Sequence, residues 1–214
     1  MNVQEATTRR LPDLKERHLP ENCRETINTI LKETYGYEQF RNLEIYDDLS
    51  KGKEKLCISQ GQLIENVILE AEKAWKGETQ VDNILLTAPT GSGKSLLFQL
   101  PAIYLGKEYN LLTIVVSPLK ALIVDQVESL QELGYARVAY ASSDLSPEQK
   151  MEVYRQVREG EIDLFYLSPE LLLSYDIKHF VGERRIGLVV VDEAHTVTTW
   201  GKEFRVDYWF LGRY

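Results

Sequence analysis

Cysteine is scarce in this sequence, and so are long apolar runs. Among the 214 residues the cysteines are Cys23 and Cys57, which lie far apart and form no CxxC pair. Neither a disulfide framework nor a zinc site is therefore expected. No run approaches the apolar length of a membrane span, and residues 1–18 lack the apolar stretch of a secretory signal. We expect no membrane association and a reducing, cytoplasmic setting.

An excess of positive charge is also missing. The chain has 25 Lys and Arg residues against 33 Asp and Glu residues, a formal net charge of −8. Bulk charge of this sign argues against a protein that is held to nucleic acid by overall attraction. A local basic groove for nucleic acid is not excluded, because the distribution of charge matters more there than the total.

The second half of the chain alternates short apolar runs with helix-like stretches. One such helix is expected to begin at Ser146 as N-cap, with Pro147 in its first position, and to end at Gly160. Alternating strands and helices predict βαβ units, hence an α/β fold with a parallel sheet and helices on both faces. The apolar runs are continuous, as in strands buried on both sides, and occupy residues 84–88, 111–117, 137–141, 162–168 and 186–192.

The beginning of the chain differs from this pattern. The stretch "ENCRETINTILKETYG" predicts one amphipathic helix that ends at Gly36, and "YDDLSKGKEK" is typical of a charged connector with a turn at Gly52. A further helix is expected over residues 62–75. We therefore predict an N-terminal helical segment over residues 1–56 and a larger α/β unit over residues 57–214.

A glycine-rich loop, "APTGSGKS", follows the first predicted strand. Its spacing is that of a Walker A loop, with Ala88 where glycine is usual. Glycines let backbone N–H groups turn inward around a β-phosphate, while Lys94 reaches the β- and γ-phosphates and the Ser95 hydroxyl binds Mg²⁺. We therefore expect an ATP-phosphate loop formed by Thr90, Gly91, Ser92, Gly93, Lys94 and Ser95.

A pair of acids, Asp192 and Glu193, ends the last predicted strand. A carboxylate at the carboxyl end of a buried strand, facing the phosphate loop, is the arrangement of a Walker B site. Asp192 would hold Mg²⁺ through water, and Glu193 would orient and deprotonate the attacking water. His195 is a catalytic candidate because it directly follows this pair, although a histidine taken alone is more often structural.

The ordered motifs "APTGSGKS" and "VVVDEAH" resemble those of superfamily-two helicases of the DExH type. Residues 115–127 and 166–173 are similar to motifs Ia and Ib of that superfamily. Residues 33–41, "ETYGYEQFR", resemble motif zero of RecQ-type DNA helicases, and residues 195–210 resemble the RecQ aromatic-rich loop. The resemblance implies a RecA-like P-loop NTPase lobe, the first lobe of a RecQ-type helicase, that couples ATP hydrolysis to movement on DNA.

The resemblance also implies individual roles. Tyr37 and Arg41 would enclose the adenine, and a nearby glutamine would bond its edge; Gln62 is the candidate, with a helix-start residue as the alternative. Single-stranded or forked DNA, rather than RNA, is the implied partner, with 3′-to-5′ polarity. The implied nucleic-acid contacts are Ser117, Gln126, Ser168, Trp200, Phe204 and Arg205.

Two departures from the RecQ pattern concern the aromatic-rich loop. Lys202 and Glu203 stand where the family has His and Asp, and Val206 replaces a proline. Trp200, Phe204 and Arg205 would couple single-stranded DNA to the ATP site by stacking and cation–π contacts. Aromatic packing into the core is the alternative for Tyr208, Trp209 and Phe210.

Other functions remain open from the sequence. A related DExH translocase or RNA helicase, a non-motor ATP-binding module and a small-acceptor P-loop kinase are the alternatives. The sequence contains no "QxxGRxGR"-like run that would supply an arginine finger, so a second RecA-like lobe is an implied partner. We expect the chain alone to bind ATP weakly, hydrolyse it slowly and not unwind DNA.

Overall fold

The fold is known from a computed structural model that describes residues 19–46, 55–86 and 91–194. An antiparallel hairpin and a four-stranded sheet form the two β-structures of these residues. The helices are α1 (Glu25–Tyr35), α2 (Gln60–Trp75), α3 (Leu96–Tyr109), α4 (Lys120–Glu132), α5 (Pro147–Arg158), α6 (Pro169–Ser174) and α7 (Ile177–Val181). The strands are β1 (Asn42–Tyr46), β2 (Lys55–Ser59), β3 (Leu112–Val116), β4 (Val138–Ala141), β5 (Leu164–Leu167) and β6 (Ile186–Val191).

The four-stranded sheet has the order β4-β5-β3-β6, and all its strands are parallel. Every residue of β3 is buried, and its side chains alternate between two apolar layers. One layer contains Val115 and packs against α1 to α4, and the other contains Ile114 and packs against α5 and α7. The predicted α/β fold with a doubly covered parallel sheet is confirmed.

Local signals set several helix ends. Ser146 accepts a hydrogen bond from the Gln149 N–H, and the Gln149 side chain accepts one from the Ser146 N–H, a reciprocal cap that stabilises α5 by about 1 kcal/mol. Gly36, with φ of 68°, ends α1 in the left-handed conformation that glycine adopts at low cost. Both ends were predicted from the sequence.

The N-terminal segment is more than a helix, and this corrects the sequence-based description. Strands β1 and β2 pair with Asn42 opposite Ser59 and flank the predicted charged connector of residues 46–55, with which they share only Tyr46 and Lys55. Neither strand was predicted, because five residues are too few for a clear periodicity. Ile27, Leu43 and Ile58 belong to the same apolar cluster as α3, so the described part of this segment packs into the lobe. The domain boundary at residue 56 stays a prediction.

Residues 81–86 form no strand, contrary to the prediction for residues 84–88, of which 87 and 88 lie outside the described residues. A cleft of about 950 Å³ separates this segment from β6. β6 pairs with β3 on one side, and within the described residues no strand pairs with its other edge. A segment becomes a β-strand only when it forms backbone hydrogen bonds with a neighbouring strand. Here the cleft separates residues 81–86 from β6, the strand with which they would pair.

Helix α3 is buried on all sides from Leu96 to Gly106 and lies between the sheet and helices α1 and α2. It starts directly after the phosphate loop. The rigid central helix therefore fixes where that loop stands relative to the sheet. In the parts of the chain that the structure describes, no helix has both the length and the apolar character needed to cross a bilayer.

Candidate nucleotide-binding site

The carboxyl ends of the central strands carry the predicted site residues. Asp192 follows β6, and its N–H donates to the Val116 carbonyl oxygen of β3 at 2.9 Å. Ser117 and Ser168 follow β3 and β5, and the Ser117 N–H donates to the Leu167 carbonyl oxygen at 3.1 Å. The structure therefore brings these three residues to one edge of the sheet, where α/β proteins bind their ligands.

The residues that line the cleft beside β6 include Lys94, Asp192 and Glu193. A lysine and two carboxylates thus face one space, although they are nearly one hundred positions apart in the sequence. All three side chains are partly exposed. A lysine and a pair of acids at one cleft are the kinds of group that bind a phosphate chain and its metal ion.

Two glycines in the described part of the loop before α3 have a left-handed backbone. Gly91 and Gly93 have φ of 79° and 78°, which residues with a side chain adopt only at a cost. Ser95 precedes the first residue of α3, and its side chain makes no capping bond there. Thr90 lies outside the described residues.

Gln60 connects this loop to the segment around Arg41. Its Nε2 donates to the carbonyl oxygens of Ser92 at 3.1 Å and Gly93 at 3.5 Å, and its Oε1 accepts from the Arg41 N–H at 3.1 Å. Gln60 is 2% exposed. Sequence reasoning missed this residue, because "QGQ" offers two glutamines and no pattern says which one reaches the loop.

Gln62 is engaged elsewhere. Its Oε1 accepts from the Ser59 N–H at 3.1 Å in the N-terminal cap of α2, and its Nε2 donates to the Pro20 carbonyl oxygen at 3.1 Å. These are the contacts of a helix-start residue. Adenine recognition by Gln62 stays a prediction, and it would require both hydrogen bonds to be given up.

Tyr37 and Arg41, the predicted adenine contacts, are both exposed. The Tyr37 ring stacks on Tyr35, with centroids 6.2 Å apart and planes 19° from parallel. One face of an aromatic platform is thus supported from behind, as base stacking needs. The pairing of Tyr37 with Arg41 around a base remains a prediction.

Glu193 has an unusual backbone, with φ of 49° at a residue that carries a side chain. Its N–H donates to Asp192 Oδ1 at 2.9 Å. A left-handed non-glycine residue costs about 1–2 kcal/mol, and such costs concentrate at functional sites. The left-handed backbone at Glu193 turns the chain between the two carboxylates of the acid pair. Asp192 was predicted to hold Mg²⁺ and Glu193 to activate water.

Of the predicted nucleic-acid contacts, Ser117, Gln126 and Ser168 lie within the described residues and the others do not. Ser117 and Ser168 are 1% and 3% exposed, and the buried Ser117 hydroxyl has no hydrogen-bond partner. Gln126 is half-buried, and its Oε1 accepts hydrogen bonds from Tyr166 and Gln99. His195, Trp200, Phe204 and Arg205 lie outside the described residues, as do Tyr208, Trp209 and Phe210.

Comparison with known proteins decides the family. Residues 62–211 match the DEAD/DEAH box helicase family. The chain belongs to this family. The match covers the phosphate loop and the acid pair, and it confirms the identification as a superfamily-two helicase lobe.

The most similar relatives include ATP-dependent DNA helicases named RecQ. The protein from Synechocystis sp. is 34% identical over 88% of this chain and 33% of its own length. The proteins from Haemophilus influenzae and Bacillus subtilis are 30% and 32% identical over 87% and 84% of this chain, and over 25% of their own lengths. The RecQ-type assignment is confirmed, and the chain spans about a quarter to a third of these relatives.

Among solved structures, the DUF1998 helicase MrfA bound to DNA has a similar fold. The TM-score is 0.50 at 22% sequence identity, over 84% of this chain and 21% of that one. At this identity the similarity concerns the fold. It agrees with a RecA-like lobe in which α3 and the parallel sheet carry the nucleotide loop.

Proposed function

We propose that this chain is the ATP-binding motor lobe of an ATP-dependent DNA helicase of the RecQ type. The observation that carries the proposal is the cleft that Lys94, Asp192 and Glu193 line together. Membership in the DEAD/DEAH box family and the RecQ relatives support the same function. DNA, in single-stranded or forked form, is the proposed partner, and 3′-to-5′ is the proposed polarity.

The residues of the cleft fit a nucleotide triphosphate with Mg²⁺. Mg²⁺ prefers oxygen ligands and is held by one or two carboxylates together with waters and substrate phosphates. Asp192 and the Ser95 hydroxyl are ligands of this kind, and bound Mg²⁺ would neutralise charge on the transferring phosphate. No group of three or more His, Cys, Asp or Glu side chains converges within residues 19–46, 55–86 and 91–194, which suits a metal that arrives with its nucleotide.

The protein groups have separate proposed tasks. The Gly91 and Gly93 backbone encloses the phosphates, and Lys94 binds the terminal phosphate oxygens. Glu193 orients the attacking water and takes its proton, while His195 is a further catalytic candidate. Ser117, Gln126 and Ser168 are the proposed nucleic-acid contacts, with Trp200, Phe204 and Arg205 as the coupling group.

A second RecA-like lobe is the proposed partner of this lobe. An arginine finger supplied across such an interface is worth about 10³–10⁵ in rate. For the 214-residue chain alone we therefore propose weak ATP binding, slow hydrolysis and no unwinding. Robust unwinding by this chain would contradict the one-lobe assignment.

The test measures the rate of ATP hydrolysis under three conditions: with single-stranded DNA, with single-stranded RNA and without nucleic acid. Stimulation by DNA and loss of turnover in Glu193→Gln, with binding of a fluorescent ATP analogue retained, are the expected results. Glu170→Gln is the matched control, since Glu170 is an exposed carboxylate at the start of α6. A rate that nucleic acid does not change would favour a non-motor ATP-binding module, and stimulation by RNA alone would favour an RNA helicase.

A further inference from the structure

A chain of polar side chains crosses the apolar core beneath the nucleotide cleft. The Tyr35 hydroxyl donates to Gln99 Oε1 at 2.9 Å, and Gln99 Nε2 donates to the Tyr166 hydroxyl at 3.1 Å. The Tyr166 hydroxyl in turn donates to Gln126 Oε1 at 2.9 Å. Gln99 Nε2 also donates directly to Gln126 Oε1 at 3.3 Å, so every hydrogen bond of this chain is donated in the direction from Tyr35 to Gln126.

The four residues come from four different elements. Tyr35 is the last residue of α1, Gln99 lies in the first turn of α3, Tyr166 lies in β5 and Gln126 lies in α4. Gln99 is 5% exposed and Tyr166 is 1% exposed. A buried amide or hydroxyl is costly unless it is satisfied, so breaking one hydrogen bond of this chain disturbs the next.

The two ends of this hydrogen-bonded chain of side chains, Tyr35 and Gln126, reach the two predicted ligand regions. Tyr35 stacks on Tyr37, the predicted adenine contact. Gln126 is a predicted nucleic-acid contact and is half-buried. The middle of the chain is attached to the phosphate loop, because Gln99 is four residues after Ser95 and its N–H donates to the Ser95 carbonyl oxygen at 2.9 Å.

The surroundings of both tyrosines raise the pKa of their hydroxyls. Burial raises the pKa of Tyr166 well above its usual range, and the negative charge of Asp192 raises it further. Burial likewise raises the pKa of Tyr35. Both hydroxyls therefore stay protonated at neutral pH and act as donors in this arrangement.

The same four side chains can also form a second pattern of hydrogen bonds. Hydroxyls and primary amides both donate and accept, so the order can reverse if the Gln99 amide turns over. Tyr166 would then donate to Gln99 Oε1, and Gln99 Nε2 would donate to Tyr35. In that arrangement Gln126 Oε1 no longer accepts from Tyr166 or from Gln99 Nε2, and its side chain can reorient.

We propose that Gln99 and Tyr166 are positioning residues that couple nucleotide binding to nucleic-acid binding through this hydrogen-bonded chain. The proposal rests on the proposed function of the cleft and adds a physical connection to it. Nucleotide at the phosphate loop and the Tyr37 platform favours one hydrogen-bond order, and that order sets the position of Gln126. By linkage, nucleic acid at Gln126 changes nucleotide affinity by the same factor.

The experiment measures the affinity of a labelled single-stranded oligothymidine with and without AMPPNP and Mg²⁺, and the reciprocal titration. Coupling between two ligands of one protein is commonly about 5–150-fold, and such a factor is expected for the unsubstituted chain. Tyr166→Phe removes one hydroxyl of the hydrogen-bonded chain. It is expected to lower the factor while each ligand alone binds as before; the direct Gln99 to Gln126 hydrogen bond at 3.3 Å would carry the coupling that remains.

Two further variants keep the result interpretable. Tyr35→Phe breaks the other end at a half-buried position, so it tests the same idea if Tyr166→Phe folds poorly. Tyr135→Phe is the matched control, because its buried hydroxyl donates to Asp163 at 3.0 Å, outside this chain. In one connected chain, Tyr35→Phe and Tyr166→Phe together lose no more coupling than the more severe single variant.

The outcomes separate the two proposals. A coupling factor that is unchanged in Tyr35→Phe and Tyr166→Phe overturns the role of the hydrogen-bonded chain and leaves the motor function standing. The same holds if the unsubstituted chain binds both ligands without any coupling. Failure to bind AMPPNP at all overturns the proposed function itself, and this inference with it.

Discussion

The Gln60 side-chain amide donates to the Ser92 carbonyl oxygen at 3.1 Å, and through its other end it accepts from the Arg41 N–H at the same distance. One buried side chain therefore spans from the segment predicted to hold the adenine to the loop predicted to hold the phosphates. Its length fixes the distance between these two regions. We expect this residue to matter for nucleotide binding without touching the nucleotide.

Replacement of Gln60 by glutamate tests this relationship. The carboxylate would face the Ser92 carbonyl oxygen with no proton to donate, at a cost of about 1–3 kcal/mol. Affinity for a fluorescent ATP analogue should fall by about 10-fold or more. Gln131→Glu is the matched control, because that amide also donates to a main-chain carbonyl, that of Val138, at an exposed site. Equal losses in both variants would contradict a specific role of Gln60.

Two features of Gly93 disfavour any side chain there: the close approach of Gln60 and a left-handed backbone. Gly93→Ala should reveal both. A Cβ on Gly93 would stand 2.7 Å from Gln60 Nε2, and the residue also has φ of 78°. Gly77 has the same φ with nothing within 4 Å of its Cβ position. Both alanine variants should lose about 1–2 kcal/mol of unfolding free energy from backbone strain.

Only Gly93→Ala should also weaken nucleotide binding, because its methyl group displaces the Gln60 amide from the loop. The measurement pairs urea unfolding with titration of the ATP analogue. If Gly77→Ala weakens binding to the same extent, strain alone explains the effect and the steric argument is wrong.

The two cysteines should differ in reactivity. Burial and the Glu65 charge raise the pKa of Cys23 to about 12, so its reactive thiolate is rare at neutral pH. Cys57 is exposed. Iodoacetamide should label Cys57 of the folded chain, and both cysteines after unfolding, as counted by mass spectrometry of the digested protein. Fast labelling of Cys23 in the folded chain would contradict its burial beside Glu65.

Acid should weaken the packing of α1 through Glu72. Arg24 Nη1 bonds Glu72 Oε1 at 2.6 Å, and Tyr109 donates to the same oxygen at 2.9 Å. Burial by itself would raise the pKa of Glu72, but these hydrogen bonds outweigh it and hold the pKa below its usual range. The stabilisation is fully present above the pKa of the unfolded state and is lost as the pH falls through the lower pKa of the folded state.

Unfolding free energies measured from about pH 7 to about pH 3 should therefore fall less steeply in Glu72→Gln than in the unsubstituted chain. Glu38→Gln is the control, since Glu38 pairs with Lys32 at an exposed site and should leave the pH profile unchanged. Identical profiles for all three proteins would show that Glu72 contributes nothing to the acid response.

Most of the candidate site could be proposed from the sequence because its motifs are local. A phosphate loop needs glycines and a lysine at fixed spacing, and "TGSGKS" supplies them within a few residues. The acid pair follows an apolar run in the same direct way. Strands β3 to β6 were predicted for the same reason, since each is a short apolar run between turn signals.

The tertiary structure decided what depends on residues that are distant in the chain. That Gln60 reaches Ser92, while Gln62 caps α2, follows from how the hairpin of β1 and β2 delivers the start of α2 to the loop. The hydrogen-bonded chain from Tyr35 to Gln126 depends on four elements that meet in one core. Residues 84–86 show the opposite case, where a strand-like sequence finds no ladder partner and forms no strand. Local patterns determine which residues can do chemistry, and only packing determines which of them meet, because burial and hydrogen bonding are satisfied across the whole fold.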